Sequence, residues 1–295
     1  MNTQTNFYTK PKTMQDKGYK TLIDGQLTIN AQELKRALKN AIKCCTFNST
    51  GSLIRDFENH VYFDFGNKGY LTIMGTNGHS LYYYKIECSE EWHNKFYFSY
   101  HRRDVAKQVS VLTPFKGNVT MTIRCFEKGS KNRSFFKTSY CAVSTDYTDD
   151  KERHMPDYLS VISKEWNREL NIHDRQAFAK QLKEECKKNK HLKLAFLLNK
   201  KGTKLKRVKS FTIDMRTTFE MPQHTFKGEP LDIGFNPEYF LKILEAYKEG
   251  LCQIQFYNEY RAFGEINPHE VYIMMPIMLG WGDDEDEDND QQKEN

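Results

Sequence analysis

Two rhythms of apolar residues, one helical and one alternating, take turns along the chain and then do so again. The first organised piece begins at Leu27-Thr-Ile-Asn30. Asn30, with Glu33 three residues on, has the spacing of a capping box and predicts a helix from Ala31 to about Cys45. Its apolar face is Leu34, Leu38, Ala41, Ile42 and Cys45, while Lys35, Lys39 and Lys43 form a stripe on another face. Short β-rich runs follow: Val61–Phe65, a Gly66-Asn-Lys-Gly69 turn, Tyr70–Met74, and then Leu81–Ile86. A second helix is predicted from Ser99 or Tyr100 to Leu112, ended by Pro114 and decorated by Arg102, Arg103 and Lys107. Strands resume at Asn118–Phe126 and Ser134–Val143.

A polar, acidic link, Ser144–Arg153, separates this series from a second one. A helix over His173–Asn189 places Phe178, Leu182 and Cys186 on one face and Lys180, Lys183, Lys187 and Lys188 elsewhere. Strands are expected at Leu192–Leu198 and Lys204–Met215. Asn236-Pro237, a cap followed by proline at the first helical position, starts another helix that carries Lys242, runs to about Lys248 and closes at Gly250. The last strands are Leu251–Tyr257, Arg261–Ile266 and Glu270–Met275. Each half thus reads helix, strands, helix, strands, a repeat of pattern rather than of identity. Two helices per repeat, packed on one face of a mostly antiparallel sheet, make an α+β protein of two repeated domains.

The stretch Val271-Tyr-Ile-Met-Met-Pro-Ile-Met-Leu279 stands apart. Pro276 lacks the N–H that a sheet ladder requires, so the strand stops there. That leaves Ile277, Met278 and Leu279 as core of a neighbouring element or as an apolar docking surface.

Composition narrows the class. The 295 residues suffice for two ordinary domains, and no run of about 18 apolar residues suggests a membrane span. The beginning of the chain has no apolar stretch of a signal peptide, and residues 1–25 read as a polar, mobile leader. The seven cysteines show no metal-ligand spacing and read as reduced, mostly buried thiols of a cytosolic protein. Of 44 basic and 39 acidic side chains, one Lys and eight acids lie from Trp281 onward. The rest therefore carries 43 and 31, a net +12. A basic body with an acidic tail points to a polyanion partner, nucleic acid first, against the plainer reading of lysines that only keep the surface soluble. The tail, residues 281–295, reads as a disordered solubilising segment, with cover of a binding surface as the sharper alternative. A paired-carboxylate motif, a P-loop and metal spacing are all lacking, so no catalytic residue, metal or cofactor is expected.

Four motifs in order resemble the bacterial DNA polymerase sliding clamp, the β subunit of the replicative polymerase. They are Gly69-Tyr-Leu-Thr-Ile-Met-Gly-Thr-Asn-Gly-His-Ser-Leu81, Met155-Pro-Asp-Tyr-Leu-Ser-Val-Ile162, Gly228-Glu-Pro-Leu-Asp-Ile-Gly-Phe-Asn-Pro-Glu-Tyr-Phe-Leu241, and Tyr272 to Leu279. Together they cover about residues 27–279. Asn77 stands where the family has Asp, and Ser80 and Met278 where it has Arg. Family members carry three repeats and this chain two, so the resemblance is to a divergent member, from a phage, a mobile element or an unusual bacterium. It implies a DNA-clamp fold with a domain over 26–147 like the family's middle one and a domain over 148–280 like its last.

The resemblance also implies a cytoplasmic, non-enzymatic processivity factor, a ring that encircles double-stranded DNA without reading its sequence. The candidate phosphate contacts on inner-wall helices are Lys35, Lys39, Lys43, Arg102, Arg103, Lys107, Lys180, Lys183, Lys187 and Lys242. A groove for peptides of the DNA polymerase and the clamp loader carries over to Thr76, Gly78, His79, Leu81, Ile273, Met275, Pro276, Ile277, Met278 and Leu279. The family builds six domains from two three-domain subunits joined head to tail; a two-domain chain reaches six as a homotrimer. The alternative is a non-ring adaptor or regulator that binds replication proteins.

Overall fold

The computed structural model describes residues 18, 20–45, 56–88, 97–128, 131–138, 142–148, 157–162, 166–188, 193–198, 204–209, 212–247, 250–258, 261–277 and 279. Two compact units emerge, one within the bounds Met1–Asn77 and Tyr83–Pro156, the other within Gly78–Tyr82 and Asp157–Asn295. A short piece of the first half of the sequence therefore belongs to the second unit.

In the first unit, β1 (Lys20–Asn30), β6 (Asn118–Lys128), β7 (Lys131–Thr138) and β8 (Ala142–Thr148) form an antiparallel sheet in the order β1-β6-β7-β8. A second group pairs β2 (His60–Asp64) with both β3 (Tyr70–Thr76) and β5 (Tyr97–His101), and β4 (Ser80–Glu87) lies beside β3. Helix α1, Ala31–Cys44, starts where expected because the Asn30 side chain accepts hydrogen bonds from the N–H groups of Gln32 (3.0 Å) and Glu33 (3.3 Å). The other half of the capping box is used differently: the Glu33 carboxylate accepts from the Tyr84 hydroxyl. Helix α1 buries Ala31, Leu34, Ala37, Leu38, Ala41 and Cys44 and packs on β3 and on α2 (Arg102–Leu112). Gly75 of β3 makes this possible, since a Cβ there would lie 2.1 Å from the Ala41 carbonyl oxygen.

Three expectations are corrected here. The polar leader gives way to strand at Lys20 rather than Leu27, because β6 supplies a partner along the length of β1. Residues Ser99–His101 are strand rather than helix; β5 pairs with β2, and α2 begins only at Arg102, capped by His101 Nδ1, which accepts from the Arg103 N–H at 3.2 Å. The run Ser134–Val143 is divided between β7 and β8, and the acidic link begins inside β8.

In the second unit, β10 (Lys193–Leu198), β11 (Lys204–Lys209), β12 (Thr212–Glu220) and β14 (Leu231–Phe235) form an antiparallel sheet in the order β12-β11-β10-β14. The expected single strand Lys204–Met215 is thus two. A second group runs β13 (His224–Lys227), β9 (Arg168–Ile172), β15 (Cys252–Asn258), β16 (Arg261–Asn267) and β17 (Glu270–Met274), also antiparallel. Helices α3 (Arg175–Lys188) and α4 (Pro237–Ala246) pack together. Their core is aromatic: Phe240 stacks on Phe196 (ring centroids 4.7 Å apart) and meets Phe178 and Phe235 edge-on or tilted. Asn236 caps α4 by accepting from the Glu238 N–H at 2.9 Å, ahead of Pro237. Each unit therefore holds a pair of helices on antiparallel strands, an α+β arrangement.

Candidate partner-binding and basic surfaces

All five residues of β17 are buried, and the chain then surfaces abruptly. Met275 is 52% exposed, and Pro276, Ile277 and Leu279 are half-buried. The proline explains the change. With no N–H at 276, the chain donates at the residues on either side, and in different directions. The Met275 N–H donates to the His79 carbonyl (2.8 Å), and the Ile277 N–H donates to the Gly234 carbonyl of β14 (2.8 Å). Gly234 leaves room for this seat: a Cβ would lie 2.6 Å from Ile277 Cγ1 and 2.7 Å from Leu279 Cδ2.

The segment Gly78–Tyr82 meets the same strand. Gly78 has φ +80°, a left-handed value that other residues adopt at a cost. It turns the chain so that His79 is exposed, with its ring stacked on Tyr239 of α4 (centroids 6.3 Å, planes 23° apart). Lys242, one turn on, places Nζ 4.9 Å from the centre of the Tyr239 ring. Below the surface, the Tyr82 hydroxyl donates to Glu270 Oε1 at 2.7 Å, and Asn267 Nδ2 donates to Oε2 at 3.1 Å. Glu270 is fully buried, so these bonds replace the water that its carboxylate gives up.

The expected groove residues fall into four groups. Gly78, His79, Met275, Pro276, Ile277 and Leu279 lie together in the second unit, at or near its surface. Leu81 and Ile273 are buried, at 6% and 4% exposure, and offer no side chain at the surface. Thr76 is buried at the end of β3, within the first unit. Met278 lies outside the described residues. Tyr239 and Gly234 were not singled out from sequence, although both fall in the Gly228–Leu241 motif. A glycine inside a strand is itself a sign of close backbone approach.

The basic candidates divide by unit. In the first, Lys39, Arg103 and Lys107 are exposed, Lys35, Lys43 and Arg102 are half-buried, and Lys107 pairs with Asp104 at 2.7 Å. In the second, Lys180, Lys183 and Lys187 of α3 are exposed, and Lys183 pairs with Glu245 of α4 at 2.9 Å. Among the described residues no three side chains are grouped to hold a metal ion. Burial pushes the Cys252 thiol up to about 12, which makes it inert as a nucleophile. No helix among the described residues is long and apolar enough to cross a membrane.

No protein-family model matches this sequence, and no curated protein matches it. Solved structures do match in three dimensions. The DNA polymerase sliding clamp of Pseudomonas aeruginosa crystallised with a ligand superposes with a TM-score of 0.69 at 17% identity, over 93% of this chain and 69% of that one. That of Caulobacter crescentus gives 0.67 at 19% identity, over 87% and 66%. The DNA polymerase III β subunit of Thermotoga maritima gives 0.66 at 17% identity, over 86% and 66%. The chain spans about two-thirds of the length of the clamps it matches. Its fold is that of the bacterial DNA polymerase III β subunit, the sliding clamp.

Proposed function

We propose that this chain is a sliding clamp, a divergent two-domain relative of the bacterial β subunit, with clamp domains over residues 26–147 and 148–280. The observation that carries the reading is the likeness in fold to solved clamps over most of the chain. On this reading the protein does no chemistry. It encircles duplex DNA in the cytoplasm of a bacterial or phage-infected cell and keeps a replicative polymerase at its template. Lysines and arginines on the helices meet phosphates without reading bases, so the ring holds DNA and still slides. Peptides of the polymerase and the clamp loader bind at the surface around His79, Tyr239, Met275 and Ile277. The flexible Met275 side chain suits peptides of differing shape, and the tie to a ring converts a modest peptide affinity into lasting retention.

Three copies joined head to tail would supply six domains. Two strands favour such joining: among the described residues, β8 and β12 each pair with one strand only, at an end of their sheet. Light scattering over a concentration series tests the assembly. A mass near three times 34.9 kDa is expected, followed by retention on closed circular DNA and loss from linear DNA. A monomer at every concentration, with and without DNA and loader, would refute the ring and leave the non-ring adaptor.

A further inference from the structure

The exposed face of α3 and the acidic run beyond Leu279 are opposite in charge and belong to the same unit. At about 100° per residue, Lys180, Lys183 and Lys187 fall within an arc of roughly 60° on the side of α3 opposite buried Phe178 and Leu182. Lys180 and Lys187 form no ion pair with any described residue, and Lys183 shares Glu245. Glu184 stands at one margin of this face, and Glu185 is turned inward and paired with Lys188. The face is therefore a positive stripe.

The run Asp283-Asp-Glu-Asp-Glu-Asp-Asn-Asp290 starts four residues after Leu279, which is itself seated against Gly234 of β14. Strand β14 lies beside β10, and Phe196 of β10 meets Phe178 of α3 at 6.4 Å between ring centroids. Gly234 alternates with Ile233 and Phe235, and Phe235 faces the helices, so Leu279 lies on the other face of this sheet and the chain must pass round its edge, a path of roughly 30 Å to the outer face of α3. An extended chain at about 3.3–3.6 Å per residue covers ~14 Å to Asp283 and ~36–40 Å to Asp290. The distal acids of the run therefore reach the stripe, and the connection is short enough to give an effective concentration in the mM range. The run holds no apolar side chain, so it cannot fill the apolar surface at Met275 and Ile277.

We propose that the distal acids of the run Asp283–Asp290 dock on the Lys180–Lys183–Lys187 face of α3 and leave it when a stronger polyanion arrives. The chain then carries its own competitor for that face, which holds back weak, non-productive contacts with nucleic acid. Competition with duplex DNA rests on the function proposed above; the docking does not.

Zero-length carbodiimide coupling of the full chain, mapped by mass spectrometry, tests the docking. Expected are cross-links within one molecule, from the acidic run to Lys180, Lys183 or Lys187. They should disappear in about 0.5 M salt, where the Debye length falls to a few Å, and in the K180Q/K183Q/K187Q variant. Cross-links spread over lysines of other elements, or formed only between molecules, would overturn the proposal. In a second arm, removing residues 281–295 should tighten binding of a random-sequence duplex about fivefold or more at low salt and change nothing at high salt. An unchanged affinity for a duplex that does bind would sink the competition. If no form binds the duplex, the function fails and the cross-link map still decides the docking.

Discussion

Gly75→Ala should be one of the most damaging single-methyl additions in the first unit. Gly75 does not have a positive φ, so backbone conformation places no demand on it. What excludes a side chain is α1: a Cβ would lie 2.1 Å from the oxygen, 2.7 Å from the carbonyl carbon and 3.0 Å from the Cα of Ala41. Carbon and oxygen atoms in contact need more than 3 Å, so helix and strand must separate by about 1 Å. A gap of 0.5–1 Å already forfeits a quarter to a half of each dispersion contact, and α1 presents Leu34, Ala37, Leu38, Ala41 and Cys44 to this interface. Overpacking typically costs about 1–3 kcal/mol. With rigid backbone on both sides we expect ~3–5 kcal/mol, less the ~0.4–1 kcal/mol that alanine returns through the unfolded chain. Gly264→Ala in the second unit is the control, because its nearest neighbour, Ile243 Cδ1 at 2.3 Å, is the end of a side chain that can rotate away. Its cost should be about 1–2 kcal/mol. Urea unfolding, with peptide-resolved hydrogen exchange to tell the units apart, measures both. The reasoning is refuted if Gly75→Ala costs no more than Gly264→Ala, or if Ala41→Gly rescues it, since Ala41→Gly removes no atom of the clash.

Two further outcomes are expected. Burial, then Arg103 and Arg102, outweigh Asp104 and hold the His101 imidazole below its ordinary 6.5, in the neutral form that caps α2 across from His60. The folded state thus binds its proton less readily than the unfolded one, so this stabilisation is full above about pH 6.5 and is lost as pH falls below it. Amide protection at the start of α2 should drop between pH 7.5 and 5.5, by no more than the ~0.5–2 kcal/mol of a cap, and His101→Asn should flatten that dependence; an unchanged slope would remove His101 as its cause. On the proposed function, Gly234→Ala pushes Ile277 and Leu279 off β14 and should weaken binding of a polymerase peptide by about tenfold while changing global stability by ~1 kcal/mol or less. Full affinity in that variant would show that the segment's seat does not shape the binding surface.

Element ends marked by a local rule were legible in the sequence. Asn30 and Asn236-Pro237 start helices where their side chains accept backbone N–H groups, and Pro276 ends β17 because it can give the ladder nothing. The misreadings have a common origin in long-range partners. Residues 98–100 are buried to a residue, so no alternation marks β5 as a strand. Lys20–Asp24 looks like a leader until β6, about a hundred residues away, pairs with it. Within the candidate surface, the resemblance placed His79 and Met275, and the hydrogen bond between them joins those two motifs. The burial of Glu270 was not legible, since an acid reads as surface and its partner Tyr82 is 188 positions away. Leu81 and Ile273 were read as lining because a motif says which residues are near a site and not which way they face.

The segment Gly78–Tyr82 has a consequence for dissection of the molecule. Its His79 carbonyl takes the Met275 N–H, and its Tyr82 hydroxyl holds the buried Glu270 carboxylate. A fragment that starts at Asp157 would retain α3, α4 and every strand from β9 to β17, yet it would strip that carboxylate of a donor and uncover the end of β17. No single cut separates this chain into its two units. The second unit is instead a natural candidate for complementation, in which a short synthetic strand bearing residues 78–82 returns the Met275 acceptor and the Glu270 donor to a fragment that lacks them.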